Sequence, residues 1–327
     1  MEKIDSNLIF NIQSNTEFED LAFKIFDYQF THNKIYKKYA SLILKGKTPK
    51  KIIDIPFLPI NFFKSDKVII SKKQSQITFK SSGTQGIRSN HHIADLDLYK
   101  SSFRKNFINT YGKIDNTCIV GLLPSYEENG DSSLIYMVDC LIQMSKDINS
   151  GFYNNNFKKL EAILKQNENK QIKTIIIGVT YAILDFAKKF PMNLNNTIII
   201  ETGGMKGRRK ELLKEEVHKI LCSCFNLKNI HSEYGMTELL SQAYSKKEGI
   251  FHTPAWMKVL VRDIYDPLSV TSKKTSGAIN IIDLANIYSC SFIATNDTGT
   301  LISKSNFKLN GRVNNADIRG CNLLLEE

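Results

Sequence analysis

The sequence contains no run of 18 consecutive apolar residues, which argues against a membrane-spanning helix. Its first residues, MEKIDSNLIF, lack the basic-then-apolar order of a secretory leader, so a cytoplasmic protein is expected. Cysteine is sparse and scattered, with six residues at 118, 140, 222, 224, 290 and 321 and no CxxC pair. That argues against a structural zinc site and leaves most of them as reduced, buried, small apolar side chains. No internal repeat is present, nor a linker long enough to separate independent domains. A nucleic-acid module is missing too. The formal net charge is +11, but the basic residues are spread through a chain rich in Lys, Asn and Ile. Without an aromatic-interleaved basic stripe the charge is compositional, and nucleic acid is not an expected partner.

What is there fits a globular protein. The 327 residues are 42% hydrophobic and 24% charged, enough for one large domain or two smaller ones. Residues 14–30 read as a helix: Ser14 and Glu17 can form a capping box, and Phe18, Leu21, Ala22, Ile25 and Phe26 recur at helical spacing. IPFLPINFF (55–63) is apolar with two prolines and reads as extended and buried. The apolar runs 117–123, 173–179 and 196–202 read as core strands, separated by helical segments near 132–145, 156–166 and 180–189. Such alternation predicts an α/β fold with mostly parallel sheets covered by helices. From about 255 the pattern changes: MKVLVRDI, GAINIID and SCSFIAT predict strands joined by short loops. One domain over 1–327 is therefore expected, with an α/β part (1–254) and a smaller β-rich part (255–327).

Four polar stretches carry candidate chemistry. In Ser81-Ser82-Gly83-Thr84-Gln85-Gly86, glycines let successive backbone N–H groups converge and hydroxyls add donors, as in a phosphate nest. No GK[ST] follows, so it is not a Walker A loop, and alone it reads as a plain turn before a nest. In ETGGMKGRRKELLKEEVHKILCS a helix is expected from near 207, with Lys206, Arg208, Arg209 and Lys210 crowding its first turn. Cations there oppose the helix dipole, so the turn is either solvated or faces an anion. In HSEYGMTELLS (231–241), Tyr234 offers a flat face, Gly235 permits close backbone approach, Thr237 a hydroxyl and Glu238 a carboxylate for a hard cation. Each fits equally a core tyrosine, a turn glycine or a helix-capping glutamate. In FIATNDTGTL (292–301), Asp297 could hold a ribose or simply close a turn.

The order SSGTQG, TGG, YGMTE, NDTG and GRVNNADIRG (311–320) resembles the nucleotide-binding motifs of adenylate-forming enzymes. FKSSGTQGIRSNHH, ETGGMKGRRKE, IPFLPINFFK and PAWMKVLVRD are similar to the LuxE-type acyl-protein synthetases, nearly end to end. The resemblance implies the large lobe of that fold. It implies condensation of a carboxylic, typically fatty, acid with ATP and Mg²⁺ to an acyl-adenylate. It also implies that Ser81, Ser82, Gly83, Thr84 and Gly86 cradle the outer phosphates and that Gly203 and Gly204 line the adenine pocket. Tyr234 would stack on adenine, Thr237 hold the α-phosphate, Glu238 bind Mg²⁺, Asp297 grip the ribose and Arg312 sit near the hinge. Where many relatives carry a lysine after the loop, this chain has Ile87-Arg88-Ser89, and Arg88 is a candidate substitute. The chain stops at Glu327, so the small C-terminal lobe of roughly a hundred residues, with its second catalytic lysine, is not expected. Lys206, His91 or His92 could take that place. By the same resemblance Cys321 receives the acyl group as a thioester for an acyl-protein reductase. Transfer to coenzyme A or a carrier protein, or a non-catalytic nucleotide-binding subunit, are the alternatives. His252 and the 121–126 segment are candidate neighbours of the acyl group, as is Trp256, which reads first as core.

Overall fold

The computed structural model describes residues 4–82, 87–124, 130–203, 212–270 and 275–313. The chain opens with helices α1 (Ser6–Phe10), α2 (Asn15–His32) and α3 (Lys34–Leu44). Helix α2 starts as expected: Ser14 Oγ accepts the Glu17 N–H at 3.1 Å, and the Glu17 carboxylate accepts the Gln13 N–H at 2.8 Å. Its apolar face, Phe18, Leu21, Ala22, Ile25 and Phe26, is buried. The 55–63 stretch is extended only through β1 (Leu58–Pro59) and then closes into one turn, α4 (Phe62–Ser65). No proline lies between Pro59 and Asp66, so the backbone is free to turn, and the Asp66 N–H reaches the Phe62 carbonyl at 2.8 Å.

Next come β2 (Ile77–Lys80), β3 (Asn90–Ile93), α5 (Leu96–Tyr111), β4 (Cys118–Leu122), α6 (Ser133–Met144), β5 (Gly151–Phe152) and α7 (Phe157–Asn169). They are followed by β6 (Thr174–Gly178), α8 (Thr180–Lys189), β7 (Thr197–Glu201), α9 (Lys214–Phe225) and β8 (His231–Tyr234). The last part holds β9 (Ala243–Ser245), β10 (Phe251–His252), β11 (Met257–Arg262), β12 (Ser276–Asp283), β13 (Phe292–Ser303) and β14 (Asn306–Arg312).

The described residues fall into two compact units, one of 78–90 and 97–251 and the other of 4–77, 91–96 and 252–313. In the first unit β5, β4, β6, β7 and β8 lie side by side in parallel, and β9 adds to β8 antiparallel. Strands β4 and β6 are buried along their whole length, which suits CIVGL and TIIIG with both sheet faces covered. Phe186 of α8 and Phe225 of α9 stack at 6.0 Å.

In the second unit β11, β12, β13 and β14 form an antiparallel meander, and β1 joins β13 in parallel. The N-terminal helices belong here rather than with the α/β segments that follow them in sequence. Buried amides explain it. Gln29 Nε2 donates to the carbonyls of Asn286 and Ile287 at 2.9 and 3.0 Å, and Asn33 Nδ2 to that of Ser289 at 2.9 Å.

Arg262 staples this meander. Its buried guanidinium donates to the Ile279 and Thr295 carbonyls, both at 2.6 Å, and to Asn280 Oδ1 at 2.8 Å. Burial lowers its pKa to about 10, so it stays charged at neutral pH. Arg262→Ala removes three buried hydrogen bonds, leaving the Ile279 carbonyl only Thr295 Oγ1 at 2.9 Å, and should cost about 3 kcal/mol, read as a lower urea midpoint at unchanged slope. All five described cysteines are free thiols, but only Cys118 and Cys290 are buried; Cys140, Cys222 and Cys224 are half-buried, so fewer are enclosed than expected. Among the described residues no helix is long and apolar enough to cross a membrane.

Candidate functional site

The carboxyl ends of β6, β7 and β8 form one edge of the first unit. Parallel register sets Gly178 beside Glu201 and Glu201 beside Ser232, so Gly203 and the segment 234–238 leave the sheet next to each other. In open α/β sheets this edge is where ligands bind. Gly203 has φ +74°, a left-handed backbone that favours glycine, and its N–H donates to Glu201 Oε2 at 2.8 Å. Tyr234 ends β8 buried, its ring edge-on to Phe251 at 5.9 Å. Gly235 is exposed, and Met236 to Leu239 close a turn through the Leu239 N–H and the Met236 carbonyl at 3.1 Å. Thr237 is half-buried and Glu238 buried in that turn. No helix follows it, so the helix-cap reading of Glu238 falls away.

The serine-rich loop is clamped at its base. Ser81 N–H donates to the Ser89 carbonyl at 3.1 Å, and Ser89 N–H to Ser81 Oγ at 3.0 Å. Arg88 does not extend as a free cation. Its Nε–H donates to the Ser81 carbonyl, and its fork meets both Asp131 oxygens at 3.3 and 3.4 Å. Asp131 lies between β4 and α6, which ties Ser81, through Arg88, to the connection leaving β4. Gly83, Thr84 and Gly86 lie outside the described residues, as do Gly204 and Cys321.

The helix after β7 starts later than the expected residue 207. Helix α9 begins at Lys214 with Glu215 and Glu216 in its first turn, and Glu216 accepts the Leu213 N–H at 2.9 Å. Acidic side chains thus meet the positive end of the dipole. Lys206, Arg208, Arg209 and Lys210 lie outside the described residues.

Two carboxylates at this edge escaped the sequence reading. Glu201 ends the apolar strand TIIIE yet is buried. Lys214 Nζ lies 2.9 Å from its Oε1, and Thr180 Oγ1 donates to Oε2 at 3.0 Å. Burial would raise its pKa, but the His218 hydrogen bond and the Lys214 ammonium hold it well below the usual 4.5. A depressed carboxylate stabilises the fold above the unfolded pKa and loses that contribution as pH falls. Glu201→Gln should therefore cost about 3 kcal/mol at pH 7 and less at pH 4, measured by urea unfolding at both. Glu233, one residue before Tyr234, behaves oppositely. Burial and the neighbouring Glu201 carboxylate push it up to about 8, against the Lys214 ammonium, so it is largely un-ionised at neutral pH. The only sequence signal for either was an acid at the end of a strand.

Asp297 and Arg312 belong to the other unit. Asp297 was expected to follow a strand or close a turn, but β13 runs straight through N-D-T-G because β14 pairs along it. Arg312 Nε donates to Asp297 Oδ1 at 3.2 Å across that pair. His91 is fully buried, at 3.1 Å from Asn286 Oδ1 and edge-on to Phe63, a packing role rather than a stand-in for a lysine. Trp256 is likewise core, edge-on to Phe10 at 5.0 Å.

Residues 132–327 match the model of the acyl-protein synthetase LuxE family. No curated protein matches the sequence. Among solved structures the fold is shared with a 2-hydroxyisobutyryl-CoA ligase in an open conformation with 2-HIB-AMP and CoA. That likeness has 10% identity and a TM-score of 0.62, covering 96% of this chain and 80% of that one. The same enzyme in its postadenylation state gives 11% identity and a TM-score of 0.61, covering 91% and 68%. A long-chain-fatty-acid-CoA ligase from Archaeoglobus fulgidus gives 13% and 0.50, covering 72% and 51%. The family match includes the strand ends that carry Gly203 and Tyr234 to Glu238, on an α/β scaffold whose fold those ligases share, and the chain belongs to the LuxE family of acyl-protein synthetases.

Proposed function

We propose that this ligase condenses a carboxylic acid with ATP to an acyl-adenylate and passes the acyl group to Cys321 as a thioester. The supporting observation is the pair of neighbouring parallel-strand ends that present Gly203 and the Tyr234 to Glu238 turn at one sheet edge. The acid's carboxylate attacks the α-phosphorus, the bond to the bridging oxygen breaks and pyrophosphate leaves. In this reading Tyr234 stacks on the base, Gly203 and Gly204 let it approach, and Thr237 hydrogen-bonds the α-phosphate. Ser81, Ser82, Gly83, Thr84 and Gly86 hold the outer phosphates, while Asp297 and Arg312 serve the ribose.

Among the described residues no group of three or more His, Cys, Asp or Glu could hold a metal ion alone. Mg²⁺ needs only one or two carboxylates when it arrives with phosphates, and the buried Glu238 suits that. When bound, the ion neutralises charge on the departing phosphates. The Cys321 thiolate then attacks the acyl carbonyl, AMP leaves, and the thiol proton passes to solvent. The acceptor after Cys321 is an acyl-protein reductase or another thiol in the cytoplasm.

Acid-dependent ATP–pyrophosphate exchange across a panel of carboxylic acids tests the first step. Exchange in wild type and its collapse in Glu238→Gln support the reading. No exchange with any acid would leave a nucleotide-binding partner subunit in its place. The fatty acid that the family resemblance implies is one arm of that panel.

A further inference from the structure

A buried carboxylate beside a cation is ordinarily a staple of the fold. The bonds of Glu201 point elsewhere, to the loop that leaves β7. Its Oε2 takes two donors, the Gly203 N–H at 2.8 Å and Thr180 Oγ1 at 3.0 Å. Thr180, the first residue of α8, also gives its N–H to the Gly203 carbonyl at 3.4 Å. Both main-chain polar groups of Gly203 are thus held, one by Glu201 and one by Thr180. The Thr202 N–H is fixed as well, on the Gly178 carbonyl at 3.0 Å. Glycine loses more freedom on ordering than any other residue, so a turn built on it needs such pins. At φ +74° a Cβ on Gly203 would meet nothing within 4 Å among the described residues. The backbone angle, and not crowding, therefore calls for glycine, and space is left in front of the turn.

The other oxygen reaches toward the neighbouring strand end. Oε1 faces Lys214 Nζ at 2.9 Å and His218 Nε2 at 3.5 Å. Lys214 Nζ also lies 4.6 Å from the centre of the Phe251 ring, a cation–π contact, and Phe251 meets Tyr234 edge-on at 5.9 Å. His218 Nε2 is 3.4 Å from Ser232 Oγ of β8, a second route to the strand that ends in Tyr234. Strands β7 and β8 pair at only two positions, Ile200 with His231 and Glu201 with Ser232. Past that point no ladder sets the spacing of the two loops. Side chains that radiate from one carboxylate do.

We infer that Glu201 is a positioning residue for the nucleotide base: it pins the Gly203 turn on one side and, through Lys214 and His218, steadies the Tyr234 side. The inference rests on the adenylation reading, in which the base enters between Gly203 and Tyr234. Glu201 touches neither ATP nor the acid. Its effect is preorganisation, since a turn already in its bound shape loses less freedom when the base arrives. Thr180 shares the role, because its hydroxyl orients Oε2 and its N–H holds the Gly203 carbonyl. The role predicts a loss confined to nucleotide binding, whereas a merely structural pair would lower stability and leave ATP affinity alone.

The test compares two double variants that both remove the ion pair. Glu201→Gln with Lys214→Met keeps a carbonyl oxygen for the Gly203 N–H; Glu201→Leu with Lys214→Met does not. The readouts are KM for ATP and for the acid in ATP–pyrophosphate exchange, the Kd of AMP by calorimetric titration, and Tm. Relative to the Gln variant, the Leu variant should raise KM for ATP and Kd for AMP by about 10-fold, with KM for the acid within about 2-fold. Thr180→Val leaves the charges in place and removes one donor from Oε2. It should raise both nucleotide constants by about 3-fold at little change in Tm, whereas Thr180→Ser, which keeps the hydroxyl, should stay near wild type. Should either double variant fail to fold, the Thr180 pair decides. Nucleotide constants that do not differ between the paired variants, with Tm alone changed, overturn the inference and leave adenylation standing. Exchange absent with every acid would sink adenylation, and AMP titration would still decide the inference. AMP that does not bind wild type overturns both.

Discussion

Glu238→Gln should lower acid-dependent ATP–pyrophosphate exchange by about 100-fold or more, equivalent to about 2.7 kcal/mol of transition-state stabilisation. Gln has the size and shape of Glu, so the buried position in the turn stays filled. What changes is the charge presented to a cation travelling with the phosphates. Raising Mg²⁺ should recover part of the loss, because a weakened ligand shifts metal affinity before anything else. Melting should change little by comparison. A variant that keeps wild-type exchange at low Mg²⁺ would remove Glu238 from the metal role. A variant that simply unfolds would be replaced by Thr237→Ala, which leaves the carboxylate in place and removes the hydroxyl expected at the α-phosphate.

Cys321→Ser should abolish acyl labelling of the protein while pyrophosphate release continues. The thiolate is the reactive species, and an ordinary thiol near pKa 8.5 supplies some of it at neutral pH, whereas a serine hydroxyl supplies none. Other cysteines in the chain are poor substitutes. Burial pushes the thiols of Cys118 and Cys290 up to about 12 and raises those of Cys140 and Cys222 as well. Label that survives in Cys321→Ser, resistant to hydroxylamine or mapped elsewhere, would refute the thioester at 321. Label that moves to added coenzyme A in wild type would identify a soluble acceptor. Because adenylation and transfer are separate bond exchanges, a variant that loses both signals together would point to a damaged fold instead.

Legibility in the sequence followed the range of the interaction. Helix α2 was readable because its cap and its apolar spacing are local: Ser14 and Glu17 sit three residues apart, and the face they start is buried as the spacing demands. The runs CIVGL, TIIIG and TIIIE were readable as strands because both faces are covered, which leaves few polar interruptions. The start of α9 was misread because basic residues before a helical pattern look like its first turn. The Glu216 carboxylate on the Leu213 N–H marks the real start. Arg88 looked like a spare cation because Asp131, its partner, is 43 residues away. Glu201 and Glu233 carried no signal beyond an acid at the end of a strand: their meaning lies in which strands are neighbours and in what register.

The amino-acid sequence alone determined the elements, the α/β class and the order of the polar motifs, since propensity, capping and periodicity act over a few residues. The three-dimensional arrangement alone decided which polar groups meet. It put Gly203 beside the Tyr234 turn, bound Glu201 to Lys214, and set Glu233 opposite Tyr244. Burial then assigned opposite charge states to two glutamates that are indistinguishable by composition, because a carboxylate keeps its charge away from water only where a cation or donor faces it.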